Sequence, residues 1–251
     1  MAEHRGAAAQ VVVADLSAPE LDPDDLHHLS RVLRLRAGAE VCATDGAGGW
    51  RSCTFTGAAA LEPAAEVRRE PAPPYEVAVG FAPIKGERPE LVVQKLTELG
   101  VDRILLVPTR RSVVRWDAER AERNLQRLRR VARGACGQSR RLWLPTVELA
   151  ALDSLAGPGT VCADMDGRPL DPGDRTVLVG PEGGWEPGEV GERETVSLGE
   201  HVLRAETAAI GAATLLCALR AALVAPSTGS GRGPGVVGNS SHRMRSKDDR
   251  E

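Results

Sequence analysis

Beyond Pro71-Ala72-Pro73-Pro74, short apolar runs alternate with helix-length segments, a rhythm that leaves few folds open. Tyr75 to Phe81, Arg103 to Pro108, Thr160 to Ala163, Thr176 to Val179 and Val196 to Leu198 read as strands. Between them, Pro89 to Leu99 reads as a helix stopped by Gly100, with Leu91, Val92, Leu96 and Leu99 facing inward. Ala118 to Cys136 reads as a long, arginine-rich helix. Glu206 to Val224 is alanine-rich and apolar almost all round, so it belongs in the core or at an oligomer interface. Strands alternating with helices predict an α/β fold with a parallel sheet.

The stretch before the prolines is different. Val11 to Val13, Glu40 to Thr44 and Trp50 to Thr56 are β-like, and Asp45-Gly46-Ala47-Gly48-Gly49 carries a hairpin turn signal. One helix interrupts them, with Asp22 as N-cap, Pro23 at its first position and Asp25 in its first turn. Leu26, Leu29 and Leu33 share a face, while Arg31 and Arg34 lie elsewhere. The expected organisation is a small β-barrel-like domain over 1–70, a stiff linker over 71–74, an α/β domain over 75–225 and a disordered Gly/Ser/Arg-rich tail over 226–251.

Aromatic residues are only 3% of the chain, so the core must be aliphatic, and little surface is available for stacking a long single strand of bases. Cys42, Cys53, Cys136, Cys162 and Cys217 are scattered without CxxC spacing, which predicts reduced thiols in a cytoplasmic protein, with no zinc site or disulfide framework. No apolar leader core opens the chain, and Thr207 to Leu219 is too short to span a bilayer, so no membrane is expected. None of His4, His27, His28, His201 and His242 has a partner at metal-ligand spacing, so no metal is expected; His201 stands out for its neighbourhood.

The net charge of -3 conceals two opposed blocks. Arg103 to Arg141 holds twelve arginines against three acids; Leu142 to Glu200 holds twelve acids against three arginines. A solvated helix face accounts for part of the basic block, but an excess of nine in under forty residues points to a phosphate-bearing partner.

Val177-Leu178-Val179-Gly180-Pro181-Glu182-Gly183-Gly184-Trp185 runs from a strand into a glycine-rich turn and then towards a helix, with Pro187 and Glu189 in the first turn. Such a turn lets a ligand approach the backbone at the carboxyl end of a strand. It is neither a phosphate loop nor GxGxxG, and taken alone it serves equally as a structural turn. Leu198-Gly199 repeats the arrangement before Leu203-Arg204-Ala205-Glu206-Thr207. Arg204 and Glu206 there form either a cap with a salt bridge or a functional pair at a pocket rim.

Lys85-Gly86-Glu87, Gln94 to Gly100, Gln138-Ser139-Arg140-Arg141, Gly180 to Gly184 and Leu203 to Thr207 stand in the order seen in RsmE-type 16S rRNA uridine-N3 methyltransferases, which the chain resembles from about residue 10 to 225. His28 to Arg34 is similar to the helix of that family's PUA-like domain. The resemblance implies a SPOUT α/β methyltransferase domain with a deep trefoil knot, an N-terminal PUA-like domain, a homodimer and S-adenosyl-L-methionine as donor. It implies 16S rRNA as partner, within the 30S subunit, with N3 of one uridine as acceptor. Leu178, Gly180, Pro181, Glu182, Gly183, Gly184, Leu198, Gly199, Leu203, Arg204 and Thr207 would enclose the cofactor, and Arg204 and Glu206 would assist the chemistry. Arg31, Arg34, Lys85, Arg110, Arg111, Gln138, Ser139 and Arg140 would contact RNA. Two positions depart from the pattern: Gly137 stands where the family usually has Glu, and Trp185-Glu186 where it often has an aromatic or Leu followed by Ser. The competing readings are a knotted ribose 2′-O-methyltransferase and a non-catalytic RNA-binding assembly factor.

Overall fold

The structure is a computed structural model that describes residues 3–224; the tail over 226–251 lies outside them. A smaller sheet comprises β1 (Ala9–Val12), β2 (Glu40–Thr44), β3 (Gly49–Phe55), β4 (Leu61–Pro63) and β5 (Arg68–Arg69). β1 and β2 are parallel; β2, β3 and β4 follow antiparallel, with β5 beside β3. The Asp45 carboxylate shapes the β2–β3 turn by accepting from the Ala47 and Gly49 amides at 2.8 and 2.9 Å. α1 (Pro23–His27) starts where expected, the Asp22 side chain accepting from the Asp25 amide at 2.7 Å. Leu29 is fully buried, but Leu33 is 43% exposed, contrary to expectation. The chain winds as a wider π-type turn over His28–Val32, which rotates Leu33 off the face set by ordinary helical spacing.

The larger sheet is wholly parallel. It holds β6 (Ala78–Phe81), β7 (Arg103–Leu106), β8 (Thr146–Leu149), β9 (Thr160–Pro169), β10 (Thr176–Val179) and β11 (Thr195–Ser197), in the order β11-β9-β10-β6-β7-β8. α2 (Arg88–Leu99), α3 (Ala118–Gln138) and α4 (Ala205–Arg220) complete this half. Strand alternation sends Val79, Phe81, Ile104, Leu106, Val177 and Val179 into one core with the helices, and Ala78, Leu105 and Leu178 to the opposite face. Leu91 departs from its expected inward position and is 44% exposed, since Val92, Val93 and Leu96 make the buried stripe of α2. Gly100 ends that helix in the left-handed region at φ 104°.

A buried charge cluster joins the helix ends below the sheet. Asp102, just before β7, accepts from Arg141 at 2.7 Å, from Arg220, and from the Val77 amide at 2.9 Å. Arg141 also donates to the Thr97 and Val101 carbonyls, and Arg220 to those of Tyr75 and Gly100. The three side chains are only 12–13% exposed. One carboxylate thus pins the ends of α2, α3 and α4 to the start of β6 and β7.

The two sheets are stitched together across the Pro71–Pro74 connection. Arg133 of α3 bonds Asp22, Asp25 and the Val12 carbonyl; Arg140 donates to the Ala7 carbonyl at 2.8 Å; Gln10 donates to the Arg141 carbonyl at 2.6 Å. Gly137 sits at the tightest point, where an added Cβ would lie 2.6 Å from the Gln10 carbonyl oxygen. A glutamate at 137 would therefore crowd the β1 backbone.

Asp102→Ala should cost about 3–5 kcal/mol, because it leaves two guanidinium groups buried without a counter-charge; a urea midpoint like that of the unaltered chain would show the cluster to be dispensable. Gly137→Glu should destabilise by about 1–3 kcal/mol through overpacking against β1, and an unchanged thermal melt would contradict the close contact.

Candidate functional site

The carboxyl ends of β9, β10 and β11, with the start of α4, enclose a pocket of about 220 Å³. This is where open parallel sheets place their ligands. β9 contributes Ala163, Asp164 and Met165. β10 and its turn contribute Val179, Gly180, Pro181, Glu182, Gly184 and Trp185. Ser197, Leu198, Gly199, His201, Val202 and Leu203 close the far side, and Ala205 and Ala208 of α4 form the floor.

The turn after β10 is tight, the Gly184 amide donating to the Pro181 carbonyl at 2.8 Å. The Trp185 indole folds back beneath it and donates to the Ala163 carbonyl at 3.1 Å, tying β9 to the turn. A Cβ on Gly180 would meet that ring at 3.0 Å, so glycine is needed there for close packing. The helix expected at Pro187 does not form. Gly188 and Gly191 take φ of 75° and 65°, and the segment folds into turns around Glu189, which accepts from the Glu186 amide at 3.0 Å and the Arg110 amide at 2.6 Å. Arg111 bonds Glu186 at 2.6 Å and the Gly183 carbonyl at 3.0 Å, clamping the outer wall.

Of the residues singled out by sequence, Gly180, Pro181, Glu182, Gly184, Leu198, Gly199 and Leu203 line the pocket. Gly183 adjoins it, with its carbonyl turned to Arg111. Leu178 does not reach it, because alternation along β10 sends that side chain into the core on the other face of the sheet. Thr207 is exposed and off the lining; helical spacing places Ala205 and Ala208 on the inner face instead. Arg204 is the exposed N-cap residue of α4, beside Leu203 at the rim, and its side chain has no bonded partner among the described residues. Glu206 does not pair with Arg204. It lies 3.4 Å from Arg88, which also holds Glu182 at 3.0 Å. Arg88 and Asp164 are residues that sequence reading missed, and Trp185 it noted without a role.

The RNA candidates separate by environment. Arg31, Arg34, Lys85 and Gln138 are exposed. The Ser139 hydroxyl caps α3 by donating to the Ala135 carbonyl at 2.7 Å, and Arg140 is spent on the join between the sheets. That join borders a cleft of about 670 Å³, where Gln138 and Arg140 meet Gln10, Arg130 and Arg133.

The pocket lining carries the carboxylates of Asp164 and Glu182 and no lysine or arginine. Glu182 is countered by Arg88 at 3.0 Å, which leaves Asp164 as the acid by which the lining favours a cationic ligand. Cys162, buried behind β9, has its thiol pushed up to about 11 by burial, so it stays protonated and is no nucleophile at neutral pH. Among the described residues, no three His, Cys, Asp or Glu side chains gather as a metal site. Gly180→Ala should cost about 1–3 kcal/mol by crowding the indole, and the cost should shrink in a Trp185→Ala background; equal costs in both backgrounds would contradict the contact.

Comparison with known proteins agrees with this architecture. Residues 71–156 and 160–217 match the profile of an RNA methyltransferase domain, and residues 21–61 that of an RNA methyltransferase PUA domain. The chain is 32% identical over 215 residues to ribosomal RNA small subunit methyltransferase E of Mycobacterium bovis, covering 75% of this chain and 82% of that protein. It is 31% identical over 229 residues to the protein of the same name from Synechocystis, covering 80% and 72%. A solved ribosomal RNA small subunit methyltransferase E from Neisseria gonorrhoeae, bound to S-adenosylmethionine, superposes with a TM-score of 0.71 at 25% identity, covering 84% of this chain and 97% of that one. A Legionella pneumophila methyltransferase, also holding that cofactor, superposes with a TM-score of 0.74 at 26% identity, covering 85% and 97%. Profile, sequence and structure converge, and the chain belongs to the ribosomal RNA small subunit methyltransferase E family.

Proposed function

We propose that this chain transfers a methyl group from S-adenosyl-L-methionine to N3 of one uridine in 16S rRNA. The observation that carries the reading is the chemistry of the pocket at the ends of β9, β10 and β11. Its walls combine apolar groups from Val179, Trp185, Leu198, Leu203, Ala205 and Ala208 with two carboxylates and the His201 imidazole, and hold no lysine or arginine. That set suits an adenosine carrying a cationic sulfonium. The family membership and the two cofactor-bound relatives support the same donor.

S-adenosylmethionine, when bound, supplies a methyl group already activated by its sulfonium. The acceptor needs help, because uridine N3 carries a proton and becomes a good nucleophile only as that proton leaves. We assign that help to Arg204. The residue caps α4 at the pocket rim, where the helix dipole is positive, and its exposed guanidinium stabilises negative charge developing on the uracil. Glu206 has a different part: bonded to Arg88, it secures the pocket and does not orient Arg204. Arg31, Arg34, Lys85 and Gln138 grip the RNA backbone and fix register. We take the working unit to be a cytoplasmic homodimer acting on rRNA in the assembled 30S subunit. No helix among the described residues is long and apolar enough to cross a membrane.

The test is methyl transfer from labelled S-adenosylmethionine to 30S subunits that lack the modification, with reverse transcription to map the product. N3 methylation blocks Watson–Crick pairing, so a single strong stop at a uridine is expected; 2′-O chemistry or a stop at another base would contradict the assignment. Arg204→Ala should lower kcat about 10²–10³-fold while leaving the thermal melt unchanged. Near-normal turnover in that variant would discard the role given to Arg204.

A further inference from the structure

The Arg88 guanidinium bridges the turn after β10 and the first turn of α4, the two elements that flank the pocket. Its Nη1 lies 3.0 Å from Glu182 Oε1, on the turn after β10, and 3.4 Å from Glu206 Oε2, in the first turn of α4. Its Nε donates to the Lys85 carbonyl at 3.3 Å, so the same side chain also holds the loop before α2. Pro89 follows it, buried in the first turn of α2, which anchors Arg88 at a fixed point on the core. The two carboxylates come from opposite walls. Glu182 lines the pocket itself, and Glu206 sits between the lining residues Ala205 and Ala208.

The environments of the two acids differ. The Glu182 side chain is 60% exposed and is screened by water; that of Glu206 is only 15% exposed and lies against an apolar helix. Loss of Arg88 would therefore matter chiefly through Glu206, left largely desolvated without a counter-charge and with the Glu182 carboxylate nearby. We propose that Arg88 is a positioning residue that sets the gap between the glycine turn and α4, and thereby the affinity for S-adenosylmethionine, through its bond to Glu206. The proposal rests on the donor assignment made above.

Calorimetric titration of S-adenosylmethionine tests it without reference to turnover. Arg88→Gln should weaken binding roughly tenfold, within the range of about 5–150-fold common for coupled sites. Arg88→Lys should keep part of the affinity. Arg88→Gln/Glu206→Gln should recover most of the loss, because the stranded carboxylate is gone, whereas Arg88→Gln/Glu182→Gln should recover little. In steady-state assays of Arg88→Gln, KM for the donor should rise while kcat stays near that of the unaltered chain. Unchanged binding in Arg88→Gln, no recovery in the Glu206 double variant, or a loss confined to kcat would each overturn the proposal. Absence of binding by the unaltered chain is a separate result that would overturn the donor assignment and this inference together.

Discussion

The structure hangs on Asp102. Its carboxylate is buried between Arg141 and Arg220 and also accepts the Val77 amide, while the two guanidinium groups saturate carbonyls at the end of α2 and just before β6. Such a cluster adds little net stability over a well-packed apolar core, since each charge must leave water. What it adds is position. Arg220 closes the last turn of α4, a sixteen-residue helix whose other end carries the pocket floor. Arg141 follows directly on the end of α3, where Arg140 and Gly137 meet the N-terminal sheet. One carboxylate so fixes, from the amino edge of the larger sheet, both the pocket at its carboxyl edge and the seat of the smaller sheet.

The opposed charge blocks find separate uses. The acidic block builds the pocket at the carboxyl ends of β9, β10 and β11 and its outer wall, through Asp164, Glu182, Glu186 and Glu189. Much of the basic block is spent inside the molecule. Arg103, Arg127 and Arg129 pair with Glu148, Glu90 and Glu122, Arg133 and Arg140 bind the sheets together, and Arg141 holds Asp102. Arg31, Arg34 and Lys85 stay exposed on the surface, and it is to these that the proposed function assigns the RNA backbone.

Much of this was legible in the residues. Short apolar runs and helical apolar patterns located most strands and the helices of the larger half, and Asp22, Pro23 and Gly100 marked helix ends because capping is a local matter. β8 escaped notice, because an edge strand with Thr146 and Leu149 exposed offers no continuous apolar run. β9 runs on through Asp164 to Pro169, since polar residues there pair with β11 at the rim of the site. In the pocket, spacing alone left the glycine turn open between a structural and a functional role, and it was the family resemblance that singled out that turn with Leu198 and Leu203. Neither could tell which way Leu178 or Thr207 points, a question settled by strand alternation and helix phase. Nor could any local pattern join Arg88 to Glu206, which lie 118 residues apart.

The central claim is that the space between the glycine turn and α4 is where the methyl donor binds. The most direct measurement is calorimetric binding of S-adenosylmethionine to an Ala208→Leu chain, whose added side chain projects from the floor into the pocket. The account predicts that binding is lost while the chain still melts cooperatively. Undiminished binding in that variant would place the donor elsewhere and contradict the account.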